Sequence, residues 1–262
     1  MIHYILLGIV QGLTEFLPVS SSAHLVLAER FLGFDPPGVL LEAALHLGTL
    51  GAVLLLFRRD LIRLVRGVFH RGSERSEVGW LIIGTIPIVF FGLLFQSRIE
   101  AAFTSLSIIG LCLLVTGAIL FLADRAGRRA RRHEVRLFDS ILIGLSQALA
   151  LLPGISRSGT TIATGMALGI RGTEAARFSF LLSIPAILGA GALKVIQAFS
   201  EGSIPAGEWA GLLLGALAAG AVGALAIKGL LVVIARGRLK VFGIYCLAVG
   251  ASALIYSACW PG

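Results

Sequence analysis

Charge is what this sequence has least of. Of its 262 residues only 14% are Asp, Glu, Lys or Arg, while 57% are hydrophobic and the mean hydropathy is +0.94. A soluble domain carries about a quarter charged residues. A water-soluble globule is therefore excluded, and a polytopic membrane protein is indicated. No long polar stretch interrupts the chain, which leaves no room for a separate soluble domain. Acidic residues are scarcer than basic ones, 14 against 22. The excess does not mark a nucleic-acid surface, because the arginines fall in loops between apolar segments, as the positive-inside rule requires. Cysteine is nearly absent. Cys112, Cys246 and Cys259 lie in apolar segments without C-x-x-C spacing and read as small buried hydrophobes, not as ligands or disulfides. The start, MIHYILLGIV, has neither a positive n-region nor a small-residue cleavage site and reads as mature chain.

What is there is glycine, 33 residues of it, which suits close helix packing in a bilayer. Apolar runs predict six spans, over 39–57, 78–97, 103–123, 178–198, 209–234 and 241–260. Residues 58–77, rich in arginine, include the weakly amphipathic LIRLVRGVF, expected along the membrane surface. A short turn is expected from Ser97 to Ala101, and an arginine-rich loop over 124–136. Two further apolar regions, about 2–33 and about 137–170, break in the middle and are too short on either side of the break to cross. They read as re-entrant helical hairpins with polar tips. Placing loops 58–77 and 124–136 in the cytoplasm puts both termini, the turn at Asp35–Gly38 and the acidic loop holding Glu201 and Glu208 outside. Each half, 1–136 and 137–262, is then one hairpin plus three spans of opposite orientation. The expected fold is an all-α polytopic membrane protein with an inverted-topology repeat, six transmembrane helices and two re-entrant hairpins. Ile86-Pro87 and Ile184-Pro185 also look alike, yet the half-to-half count does not pair their helices.

The two breaks echo each other. The first reads GIVQGLTEFLPVSSSAH from Gly8 to His24, the second QALALLPGISRSGTT from Gln147 to Thr161. Each has G-x-x-Q, then Leu-Pro, then serines, which suggests that both tips meet at one site. Gln11 and Glu15 stand four residues apart and share a helix face. A carboxylate at that depth costs several kcal/mol unless it faces a polar cavity or partner. Ser21, Ser22 and His24 place hydroxyls near an imidazole, the pairing by which a serine becomes a nucleophile, although a serine cluster also caps helices. Gly154, Ser156, Arg157, Ser158 and Thr161 form a donor-rich turn around one guanidinium, a phosphate-binding arrangement. A helix starting near Gly159 would add backbone N–H groups. The turn lacks the P-loop pattern. Glu42 and His46 read equally well as residues behind the cavity or as polar groups at a helix end. Lys194 and Lys228 lie where snorkelling or packing accounts for them. Together these point to phosphoryl transfer from a lipid phosphate to water, with Ser21 attacking and His24 as its base, or with an activated water attacking and Ser21 as a ligand. The competing reading is a transporter or flippase of polyprenyl phosphate lipids, since broken helices in inverted repeats also build carriers.

The segments QGLTEFLPVSSSAH and PGISRSGTT resemble those of the undecaprenyl-pyrophosphate phosphatase family, the bacitracin-resistance membrane phosphatases, and the likeness covers essentially the whole chain. The resemblance implies hydrolysis of undecaprenyl pyrophosphate to undecaprenyl phosphate and inorganic phosphate at the outer face of the bacterial inner membrane, recycling the lipid carrier of cell-wall precursors. It implies a divalent cation, Mg2+ or Ca2+, on Gln11 and Glu15. It also implies a catalytic set of Glu15, Ser21, His24 and Arg157, with Gln11, Ser22, Gly154, Ser156, Ser158 and Thr161 about the substrate. Gln11 takes the neutral form of the first motif position, which makes Glu15 the charged ligand. Membrane lipids are the other expected partners. The glycine-rich faces serve packing within a chain as readily as between copies, so a homo-oligomer stays open.

Overall fold

The structure, a computed structural model, describes residues 1–34, 40–69, 73–200 and 208–259. The expected outer turn at Asp35–Gly38, Arg71 and Glu201 lie outside these. The helices are α1 (Ile2–Phe16), α2 (Ser21–Leu32), α3 (Leu40–Leu56), α4 (Arg58–Val68), α5 (Ser73–Leu94), α6 (Gln96–Thr104), α7 (Leu106–Gly127), α8 (Leu137–Leu149), α9 (Arg157–Ala167), α10 (Gly172–Ser200), α11 (Trp209–Ala235) and α12 (Lys240–Cys259). Helices α5, α7, α10, α11 and α12 are each long and apolar enough to cross a membrane. Helix α3 joins them when taken with α4, from which it bends by 77°. The chain is an all-α, multi-pass membrane protein.

Several boundaries differ from the sequence expectation. The turn expected at Ser97–Ala101 is helix α6. The loop after α7 begins only past Gly127. Helices α5 and α10 start several residues before their apolar runs, because their polar first turns are held by ion pairs. Arg177 of α10 donates to Asp60 of α4 at 2.7 Å and to Glu77 of α5 at 2.6 Å. Helix α9 starts at Arg157, two residues before Gly159, because Ser156 caps it by accepting the Gly159 N–H at 3.1 Å.

Both short pairs are closed hairpins. Phe34, after α2, returns to the start of α1, its ring 4.9 Å from His3 and 5.6 Å from Tyr4. At the base of the second, the Arg171 N–H donates to the Arg132 carbonyl at 2.7 Å, and the Arg132 guanidinium reaches Asp139 and the Leu168 carbonyl. The Asp139 fork raises the pKa of Arg132 further above its usual value.

Helix directions follow from close backbone approaches. A Cβ on Gly8 would meet the Gly215 carbonyl oxygen at 2.3 Å, and one on Gly12 the Ala219 oxygen at 2.6 Å. Numbers rise together, so α1 runs parallel to α11. Gly48 against Ala216, and Gly223 against Ala52, make α3 parallel to α11 as well. Gly144 lies on Gly84, and Ser140 donates to the Trp80 carbonyl, so α8 runs parallel to α5. Helix α10 is parallel to α5 through Arg177–Glu77 and Gly84–Leu182, and antiparallel to α3 through Phe57–Phe180 and Glu42–Lys194. Helices α1, α3 and α11 therefore run one way and α5, α8 and α10 the other. The hairpins α1–α2 and α8–α9 enter from opposite ends, and their tips meet between. Small residues at these crossings let the backbones touch, which is how helices associate where lipid supplies no hydrophobic drive. Most of the described arginines outside the tips gather at the end where α3 and α11 finish and α5, α8 and α10 begin.

Candidate active site

The first tip forms because of Pro18. The residue before a proline is pushed out of the helical region, and Leu17 accordingly lies at φ −62°, ψ 142°, ending α1. Ser20 then turns the chain at φ +69°, in the left-handed region. Such a conformation costs a serine on the order of 1–3 kcal/mol and persists only when its surroundings fix it. Three hydrogen bonds do so. The Ser20 carbonyl accepts from His24 Nδ1 at 2.7 Å, its hydroxyl pairs with Ser22 Oγ at 3.2 Å, and its Oγ accepts the Gly154 N–H of the other tip at 3.1 Å.

The second tip turns at Gly154, with φ +100°. A Cβ there would sit 2.5 Å from the Ile109 carbonyl oxygen and 2.6 Å from Cys112 Cβ. Thr116 of α7 staples this tip: its hydroxyl donates to the Gly154 carbonyl at 2.8 Å and accepts the Ser156 N–H at 3.1 Å. Gly154→Ala adds both backbone strain and overpacking, together about 2–5 kcal/mol. We expect a large fall in the unfolding temperature in detergent. An unchanged midpoint would contradict the tight seat of this tip.

Where the tips meet stands Glu15, its side chain only 4% exposed. Arg157 donates to Glu15 Oε1 at 2.5 Å. Ser21 donates to Glu15 Oε2 at 2.6 Å, and Gln11 Nε2 donates to the same oxygen at 3.0 Å. The Nε2 of His46, from α3, lies 3.6 Å away from it. Four segments thus converge on one carboxylate, and the expectation that the two breaks meet holds. Phe16, the next residue, packs with Phe57 and Phe180 in an aromatic cluster behind the site.

The other expected residues take different places. Ser21 is bonded to Glu15 and not to His24. The His24 ring instead gives Nδ1–H to Ser20 and accepts the Tyr245 hydroxyl on Nε2 at 2.8 Å. A carbonyl oxygen only accepts, which fixes the proton on Nδ1. Ser156, Ser158 and Thr161 are buried in the framework of the second tip. Ser158 Oγ reaches the Leu17 carbonyl at 3.2 Å, and Thr161 Oγ1 pairs with Ser179 Oγ at 2.6 Å. Ser22 stays beside Ser20. Lys194 pairs with Glu42, one helical turn from His46. Thr116, Ser179 and Tyr245 went unread in the sequence. A lone hydroxyl in an apolar run carries no signal of its own.

The implied cation can be tested against these atoms. Gln11 Oε1 is buried and has no hydrogen-bond partner. The same amide donates its Nε2–H to Glu15 Oε2, and turning it over would bring Oε1 to the carboxylate and pair two hard oxygen ligands. Among the described residues no three His, Cys, Asp or Glu side chains form a cage. The pair therefore fits an ion that takes its remaining ligands from substrate phosphate and water, the habit of magnesium.

The family described as bacitracin resistance protein BacA matches residues 4–252. A protein named undecaprenyl-diphosphatase from Desulforudis audaxviator is 44% identical over 257 residues, 96% of this chain and 95% of that one. One of the same name from Moorella thermoacetica is 44% identical over 264 residues, covering 99% and 98%. Another from Chloroherpeton thalassium is 42% identical over 270 residues, covering 97% and 95%. A family match over residues 4–252, with relatives this similar along nearly the whole chain, shows that the chain belongs to the bacitracin resistance protein BacA family.

Proposed function

We propose that this protein hydrolyses undecaprenyl pyrophosphate to undecaprenyl phosphate and inorganic phosphate, at a site reached from the outer face of the bacterial inner membrane. The observation that carries the reading is the Ser21–Glu15–Arg157 constellation: a hydroxyl 2.6 Å from a carboxylate oxygen, with a guanidinium on the other oxygen. Names and coverage of the relatives support the substrate.

In this reaction Arg157 binds the terminal phosphoryl group. It gives one donor to Glu15 and has others to offer. Ser21 Oγ attacks the terminal phosphorus and its proton passes to Glu15 Oε2. The bond from that phosphorus to the bridging oxygen breaks, and undecaprenyl phosphate leaves. Water then cleaves the phosphoserine, releasing phosphate and returning the proton to Ser21. In the geometry shown Glu15 is the base for Ser21, while His24 holds the tip through Ser20 and Tyr245. Gln11 and Glu15 would hold the divalent cation, Mg2+ or Ca2+, which would supply neutralisation of phosphate charge. Ser22, Gly154, Ser156, Ser158 and Thr161 keep both tips in place around the headgroup.

The outward reading rests on charge. The arginine-rich end belongs in the cytoplasm by the positive-inside rule, which makes the base of the first hairpin periplasmic. Half-buried Glu42, His46 and Lys194 lead from that side towards Glu15. Halves 1–136 and 137–262 form the inverted repeat, supported by α1 on α11 answering α8 on α5. Hairpins meeting at mid-depth also suit a carrier, which needs charge compensation but no nucleophile. Purified protein in detergent separates the two: a phosphatase releases one phosphate per undecaprenyl pyrophosphate, whereas a carrier moves the lipid across liposomes without releasing any. In the same assay Ser21→Ala is expected to abolish a trappable phosphoenzyme and slow release by about 10²–10⁴-fold. Retained release without phosphoenzyme would make water the attacking group.

A further inference from the structure

His46 has no part in the reaction as derived, yet its ring is posed as a ligand would be. Nδ1 hydrogen-bonds the Glu42 carbonyl at 2.8 Å. An accepting carbonyl places the proton on Nδ1, so in the neutral ring Nε2 carries the free lone pair. That nitrogen faces Glu15 Oε2 at 3.6 Å, too far for a hydrogen bond. The Glu42 carboxylate is spent on Lys194, so only the Glu42 backbone acts on the ring. Metal-binding histidines characteristically donate their second ring nitrogen to a carbonyl or carboxylate, which fixes tautomer and orientation. Gln11, whose Oε1 is buried and partnerless, donates Nε2–H to the same carboxylate oxygen, and turning its amide over brings Oε1 there instead.

We propose that His46 Nε2 is the third protein ligand of the cation site, with Glu15 and Gln11, and that the site therefore favours a first-row divalent ion such as manganese over calcium. The inference rests on the cation reading above. Two donors on one ion, each bonded at about 2.0–2.2 Å, stand about 3 Å apart. A modest approach of the His46 ring closes the observed gap. An imidazole nitrogen beside two oxygens raises affinity for transition ions, while calcium prefers oxygen alone.

The test uses Mn2+ as the probe on the full-length protein in detergent, without substrate, read by pulsed paramagnetic resonance and by titration. Wild type is expected to bind one Mn2+ with nitrogen-14 coupling from a directly bonded imidazole. His46→Gln keeps size and polarity. It is expected to lose that coupling and weaken Mn2+ binding about tenfold or more, with an unchanged unfolding temperature. Stoichiometric Mn2+ with no nitrogen coupling in wild type overturns the His46 ligand while leaving the oxygen site and the phosphatase reading intact. No Mn2+ binding by folded protein overturns the cation site itself, and the His46 ligand with it.

Discussion

Replacing Arg157 by lysine is expected to slow phosphate release about 10²–10³-fold while leaving the protein folded. Lysine keeps the charge beside Glu15, so the buried carboxylate still has a cation. What it loses is the planar fork that in the proposed reaction would hold phosphate oxygens while keeping Glu15. Because Arg157 is the first residue of α9, its backbone is fixed by the Ser156 cap. The shorter reach of an ammonium cannot be recovered by a shift of the chain. Arg157→Ala goes further and leaves the buried Glu15 without its cationic partner, a change that costs about 3–5 kcal/mol in other buried pairs. Its loss of activity therefore mixes chemistry with stability, which is why the lysine variant is the more informative one. Steady-state kinetics with an unfolding midpoint for each variant separates the two effects. Near-normal turnover in Arg157→Lys would remove the guanidinium from the reaction.

Glu15→Gln is the second large effect. Expected is a fall in kcat of about 10²–10⁴-fold, the range for losing a positioned general base, together with weakened metal dependence. Glutamine fills the same space between Gln11, Ser21 and Arg157, and its carbonyl still accepts one hydrogen bond. It cannot take the Ser21 proton, and whichever way its amide turns the NH2 faces a donor, Arg157 on one side or Ser21 and Gln11 on the other. Turnover measured with magnesium, with calcium and with chelator checks this. A variant that retained wild-type kcat and the same metal response would leave Glu15 as a tether between hairpins only.

Much of this was legible from the chain. Gln11 and Glu15 at four-residue spacing gave away a polar helix face, and the Leu-Pro pairs at 17–18 and 152–153 marked both breaks. Their shared pattern suggested one site, and Glu15 with Arg157 bears that out. What stayed hidden depends on how helices turn towards each other. Local spacing put Ser21 with His24, but the left-handed turn at Ser20 aims the hydroxyl at Glu15 and leaves the imidazole to Tyr245, more than two hundred positions away. His46 could be read either way because its meaning depends on the parallel packing of α1 and α3 on α11. Helix ends were misplaced where ion pairs, and not apolar length, set them, as at Arg177.

The central claim is that the two hairpin tips act as one catalytic unit through Glu15 and Arg157. A double-mutant cycle on kcat/KM with Glu15→Gln, Arg157→Lys and the pair tests it most directly. Residues that work as a unit are strongly non-additive. The double variant is therefore predicted to be about as slow as the worse single one. Losses that multiply, as for independent sites, would contradict the account.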